Sequence, residues 1–108
     1  MAQLISNTLK LSLAGEKQQF DSTANRNLLA GLFTAGPNNT GELRVGVSTV
    51  NAASDPPIGK RLMPGEVLDM DPAKFAQNDG RPHSVPLSSL WFDGTVTGDI
   101  IEIWGLIS

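Results

Sequence analysis

Glycine and proline punctuate this chain from end to end. Eleven glycines and seven prolines among 108 residues fall at intervals of roughly ten and cut it into short elements. That spacing predicts an all-β fold: a single antiparallel β-sandwich, jelly-roll-like, or a small barrel, with short strands and at most one helical turn. The length predicts one domain over residues 1–108, burying roughly two-thirds of its unfolded surface without staples.

The strands announce themselves by alternation. "GELRVGVSTV", Gly41 to Val50, sets Leu43, Val45 and Val47 against Glu42, Arg44, Gly46 and Ser48. An earlier strand is expected over about Gln3 to Leu13, where Leu9, Leu11 and Leu13 alternate with Lys10 and Ser12, before a turn at Ala14–Glu16. "KQQF" suits a short edge segment. "NLLAGLF", Asn27 to Phe33, is apolar on both faces and reads as a buried central strand rather than a helix fragment. Asn51 to Gly65 is the longest irregular stretch, since Pro56-Pro57 has no place inside a central strand and Pro64-Gly65 suits a type II turn. "EVLDM" resumes as a strand, and Asp71-Pro72 has the form of a helical N-terminus, with Asp71 as cap.

The closing run "DIIEIWGLIS" carries the heaviest constraint. Ile101, Ile103 and Ile107 share one face, while Ile100, Trp104 and Leu106 share the other. An edge strand apolar on both sides invites aggregation, so this strand must be central or have its second face covered by another subunit.

Charge narrows the function classes. Eight basic and eleven acidic residues give a formal net charge of −3, and no basic cluster exceeds the pair Lys60-Arg61. A nucleic-acid binder needs a basic face to displace counterions, so no nucleic-acid partner is expected. There are no cysteines, which excludes a disulfide scaffold, thiolate metal sites and cysteine nucleophiles. The first fifteen residues lack an early basic region and are interrupted by Ser6, Asn7, Thr8, Lys10 and Ser12; no run approaches a membrane span. The chain therefore reads as a soluble intracellular product with no membrane partner. Charged residues make up 18% of it, below the usual quarter, which suits a surface lying against copies of itself or a partner.

Candidate chemistry is thin. His83, the single histidine, stands beside Ser84, but neighbours in an extended segment point to opposite faces and make a poor base–nucleophile pair. Asp69, Asp71 and Asp79 lack the spacing and the terminal bidentate acid of a calcium loop; turn and cap roles explain them better. No glycine-rich phosphate loop and no nucleophile elbow occurs. The Asn38-Asn39-Thr40 sequon carries no weight without a secretory signal. No enzyme activity, metal or cofactor is expected. Trp91 and Trp104 suit the core or a subunit interface better than stacking on sugars or bases, with no tyrosine in support.

The order of these pieces resembles small virion structural proteins of tailed bacteriophages, of the capsid decoration (cement) type. The resemblance rests on the Val-Gly-x-Ser-x-Val strand end at Val45 to Val50 and on the Leu-x-Pro-Gly-Glu turn at Leu62 to Glu66. A Leu-Ser-x-Leu-aromatic strand at Leu87 to Trp91 and a Gly-Asp turn into the closing strand, Gly98 to Ile107, complete it. It covers about two-thirds of the chain, all of it strands and turns; the Asn51–Arg61 link is longer than that pattern. It implies localisation on the virion, the major capsid protein as partner and a homotrimeric assembly. The subunit interface is then expected at Trp91, Ile100, Trp104 and Leu106, and capsid contact at Leu4, Ile5, Pro56, Pro57, Lys60 and Arg61. Two alternatives remain: another virion part, such as a tail, fibre-base or head–tail joining subunit, or a carbohydrate-binding sandwich recognising host surfaces.

Overall fold

Alternating side chains oblige each strand to offer one face to a core and the other to something else. A computed structural model, which describes residues 3–21, 26–70 and 84–108, shows how nine strands meet that demand. They are β1 (Gln3–Lys10), β2 (Gln18–Gln19), β3 (Asn27–Ala35), β4 (Leu43–Gly46), β5 (Lys60–Leu62), β6 (Val67–Met70), β7 (Val85–Pro86), β8 (Trp91–Gly94) and β9 (Ile100–Ile107). Two antiparallel sheets result. Sheet I runs β1-β9-β3-β6, with β7 also on β3; sheet II runs β2-β8-β4-β5. The helical N-terminus read at Asp71 and the single histidine His83 lie outside the described residues.

Leaving the two-residue β7 aside, β4 pairs with β5, β3 with β6, β2 with β8 and β1 with β9. That nesting is a long hairpin rolled onto itself, the jelly roll, and the sheets stay open rather than closing as a barrel. Between them Phe20 stacks on Phe33 of sheet I and tilts against Phe92 of sheet II, with ring centroids 5.0 Å apart in both pairs. Leu11, Leu28, Leu43, Leu62, Ile101, Ile103 and Ile107 fill the rest of this layer.

The closing strand is central, as its two apolar faces require: β9 lies between β1 and β3, with Ile101, Ile103 and Ile107 turned inward. "NLLAGLF" is likewise a central strand. A bulge between Leu28 and Ala30 resets its phase, so that Leu28, Gly31 and Phe33 face the core while Ala30 and Leu32 face out. The Pro64-Gly65 turn forms as expected; Gly65 takes the φ of +81° that its third position demands, and Glu66 closes the turn with its N–H on the Met63 carbonyl at 2.9 Å.

Four local expectations are corrected. The strand read over Gly41–Val50 stops at Gly46, because Val47 to Val50 form a turn whose Val50 N–H reaches the Val47 carbonyl; Val47 is left exposed. β1 stops at Lys10, so Leu11 drops into the core while Leu13 sits exposed in the turn. Leu87–Ser89 forms a 3₁₀ turn, not a strand, and β8 begins after it at Trp91. Inside the stretch read as irregular, Lys60–Leu62 is the strand β5.

Candidate functional site

The sandwich has two outer faces, and the sequence builds them differently. On sheet I, pairing stacks the outward residues in rows. Leu4, Leu106 and Ala30 form one row; Ser6, Trp104, Leu32 and Asp69 form the next; Thr8, Glu102, Thr34 and Val67 follow. Leu4 is 61% exposed, Trp104 54% and Leu32 40%, so the apolar centre of this face stands open among the described residues. Leu4, Ala30, Leu32, Asp69, Trp104 and Leu106 line a shallow groove along it. Large apolar side chains grouped on a folded surface, rather than scattered, mark a place where something binds.

On sheet II the chain covers itself. Phe92 and Gly94 of β8 face the core, so Trp91 and Asp93 face out. The segment 47–59 folds back over Asp93. Asn51 and Ile58 bridge its two arms, burying Val50 and Ala52. Asp93, 1% exposed, accepts the Ala52 N–H and the Gly94 N–H, both at 2.8 Å. Arg44 donates to the Gly59 carbonyl at 3.2 Å and to Glu42 at 3.0 Å. Lys17 stands 5.4 Å over the Trp91 ring and donates to the Ser48 carbonyl, closing the other end. A second buried carboxylate, Asp99, ties down the β3–β4 crossover through the N–H groups of Thr40 (3.2 Å) and Gly41 (3.0 Å).

The expected site residues divide between these regions. Ile100, Trp104 and Leu106 do share the outer face of sheet I, with Ile100 and Leu106 half-buried. Trp91 does not join them: it lies half-buried on the opposite side of the sandwich beneath Lys17, so the four cannot form one surface. Trp104 is not a core residue. Leu4 belongs to the same face, whereas Ile5 points to the other side of β1, half-buried against the core, so the two do not share one surface. Pro56, Lys60 and Arg61 are exposed at the sheet II side and Pro57 is half-buried, whereas Leu4 lies on sheet I. The loop after β4, which carries the expected contacts Pro56 and Pro57, is held down on its own sheet.

Chemistry beyond burial is sparse. Asp69 flanks the groove, while Asp71 and Asp79 fall outside the described residues. No three His, Asp or Glu gather as a metal site among the described residues. No helix there is long and apolar enough to cross a membrane. Leu32 and Ala30 are the residues that reading by periodicity missed; the bulge that turns them outward leaves no mark in the alternation. Set against family models, curated proteins and solved structures, the chain matches none of them.

Proposed function

We propose that this chain is a bacteriophage virion structural protein of the cement type, applied to the head through the outer face of sheet I. The observation that carries the reading is the apolar centre of that face, Leu4, Leu32, Trp104 and Leu106, open among the described residues, whereas on the other face the chain's own loop buries Asp93, Val50 and Ala52. The motif order at Val45–Val50, Leu62–Glu66 and Gly98–Ile107 points the same way. Jelly rolls serve viral capsids, and they serve lectins too, so fold alone does not choose.

The mechanism is mechanical. Three strands about 4.8 Å apart and eight residues long at about 3.3 Å each cover about 400 Å². If half is apolar, burial at about 25 cal/mol per Å² gives about 5 kcal/mol before the cost of association. One such patch holds weakly. Several copies acting together raise the effective hold without any stronger contact, which is how a cement bridges neighbouring capsid subunits.

The test is gradient sedimentation of the chain with capsids assembled without it. Co-sedimentation is expected, lost in Trp104→Ala with the fold intact by circular dichroism. A chain that stays at the top of the gradient overturns the reading. Exposed Trp104 also favours the carbohydrate-binding alternative; glycan binding abolished by Trp104→Ala, with no capsid binding in the wild type, selects that one.

A further inference from the structure

A β-sheet edge is a row of unused N–H and C=O groups, and proteins ordinarily keep such rows short, charged or covered. Three of the four edges formed by the described residues follow that rule. β2 has two residues, β5 has three including Lys60 and Arg61, and the far edge of β3 is split between the four-residue β6 and the two-residue β7. β1 breaks it. Eight residues long and outermost in sheet I, it carries no charge before Lys10 at its end.

Which groups of β1 face outward follows from its ends. The Leu11 N–H goes to the Asp99 carbonyl at 2.8 Å, toward β9. The carbonyl of the preceding residue, Lys10, points the other way and accepts from the Gln18 amide at 3.2 Å. Alternation then directs the backbone groups of Leu4, Ser6 and Thr8 to the free edge as well. The Thr8 N–H confirms it by taking the Asn7 side-chain oxygen, at 2.9 Å, in place of a strand. Gln18 covers the end at Lys10; among the described residues no strand pairs with Leu4 to Thr8 on this side, and only the Thr8 N–H is taken, by the neighbouring Asn7 side chain, which a pairing strand would displace.

We propose that a second copy of the chain pairs along this edge, β1 against β1 in antiparallel register, with the two-fold axis at Ser6. Ser6 then faces the Ser6 of the other copy, and Leu4 faces Thr8 on both sides of the axis. This register uses the whole open stretch in both chains. It also sets the two Lys10 ammonium groups at opposite ends, roughly 27 Å apart, so like charges do not meet. Residues directly opposite in an antiparallel pair point to one side, so both apolar outer faces end up coplanar. The joined face covers about 800 Å², the amount one partner contributes to a standard stable interface, where a single copy offers about half. That area argument rests on the cement reading; the pairing itself rests on the edge. It gives a two-fold assembly in place of the trimer that the family resemblance implies.

The experiment is sedimentation velocity of the full chain over a roughly hundred-fold range of concentration, without capsids. The wild type is expected to shift from one-chain to two-chain mass. Ser6→Pro removes an outward N–H that an edge strand can spare, and Ser6→Lys places two ammonium groups together at the axis. Each should abolish the shift while circular dichroism stays that of the wild type. Ser6→Cys, in a chain without cysteine, should form a disulfide-linked pair on oxidation several-fold faster than Thr49→Cys on the far sheet. A wild type that stays monomeric throughout overturns the proposal. So does a dimer that survives both Ser6→Pro and Ser6→Lys, or cross-linking of Ser6→Cys that is no faster than that of Thr49→Cys. Monomers that still bind capsids would sink the pairing and leave the cement reading standing.

Discussion

The two outer faces of this sandwich solve the same problem in opposite ways. Sheet II has a carboxylate and a tryptophan turned outward; the segment 47–59 closes over Asp93, and Lys17 lies over Trp91. Sheet I turns out Leu4, Leu32 and Trp104 and leaves them open among the described residues. The difference teaches where the fold is self-sufficient. A buried Asp93 would be costly alone, but two backbone N–H groups satisfy it and make it the anchor of a lid built from the same chain. Apolar side chains offer no such directional hold, so their covering can come from outside.

The strongest way to break that contrast is to remove the anchor. Asp93→Ala strips the acceptor from the Ala52 N–H of the lid and from the Gly94 N–H of β8, leaving both buried donors without it. The expected loss is about 3 kcal/mol, read by chemical denaturation, with new proteolytic cleavage inside 47–59 under native conditions. Asp93→Asn keeps the shape and one acceptor oxygen and should fall between. A variant within about 0.5 kcal/mol of wild type would show that packing, not the carboxylate, holds the lid.

Gly59 sharpens the same point at the lid's return. Its φ is +121°, and a Cβ there would meet Val50 Cγ2 at 2.7 Å and the Val45 carbonyl at 3.1 Å. Gly59→Ala should cost about 2 kcal/mol, combining backbone strain with a clash against β4. Thermal melting measures it. Wild-type stability in Gly59→Ala would mean that the lid does not press on sheet II.

Much of the frame was legible. The two apolar faces of "DIIEIWGLIS" demanded a central strand, and Pro64-Gly65 named its own turn, because both signals are local. What could not be read depends on distant partners. Asp93 looks like half of an Asp-Gly turn; its partner Ala52 lies 41 residues away, and nothing near Asp93 marks it as an anchor. Trp91 and Trp104 look like one cluster, yet jelly-roll nesting sends β8 to one sheet and β9 to the other. The open face was half legible: alternation alone puts Trp104 and Leu106 on one surface, but Leu32 needs the bulge at Leu28–Ala30 to turn it out.

The smallest expected effect is the one that tests the open face most sharply. Leu32 is 40% exposed, opposite Trp104 on one side and Asp69 on the other. Leu32→Thr brings in a β-branched side chain suited to the strand and removes apolar surface of which a large part already faces water. Stability should therefore stay within about 0.5 kcal/mol of wild type, while binding of an apolar fluorescent dye to the folded chain falls. The matching change on the inner side, Phe33→Ala, would cost several times more, because that ring is fully buried against Phe20. A loss above about 1.5 kcal/mol in Leu32→Thr would mean that the chain shields this face as it shields sheet II. The contrast between the two faces would then collapse, and with it the reason to place a partner on sheet I.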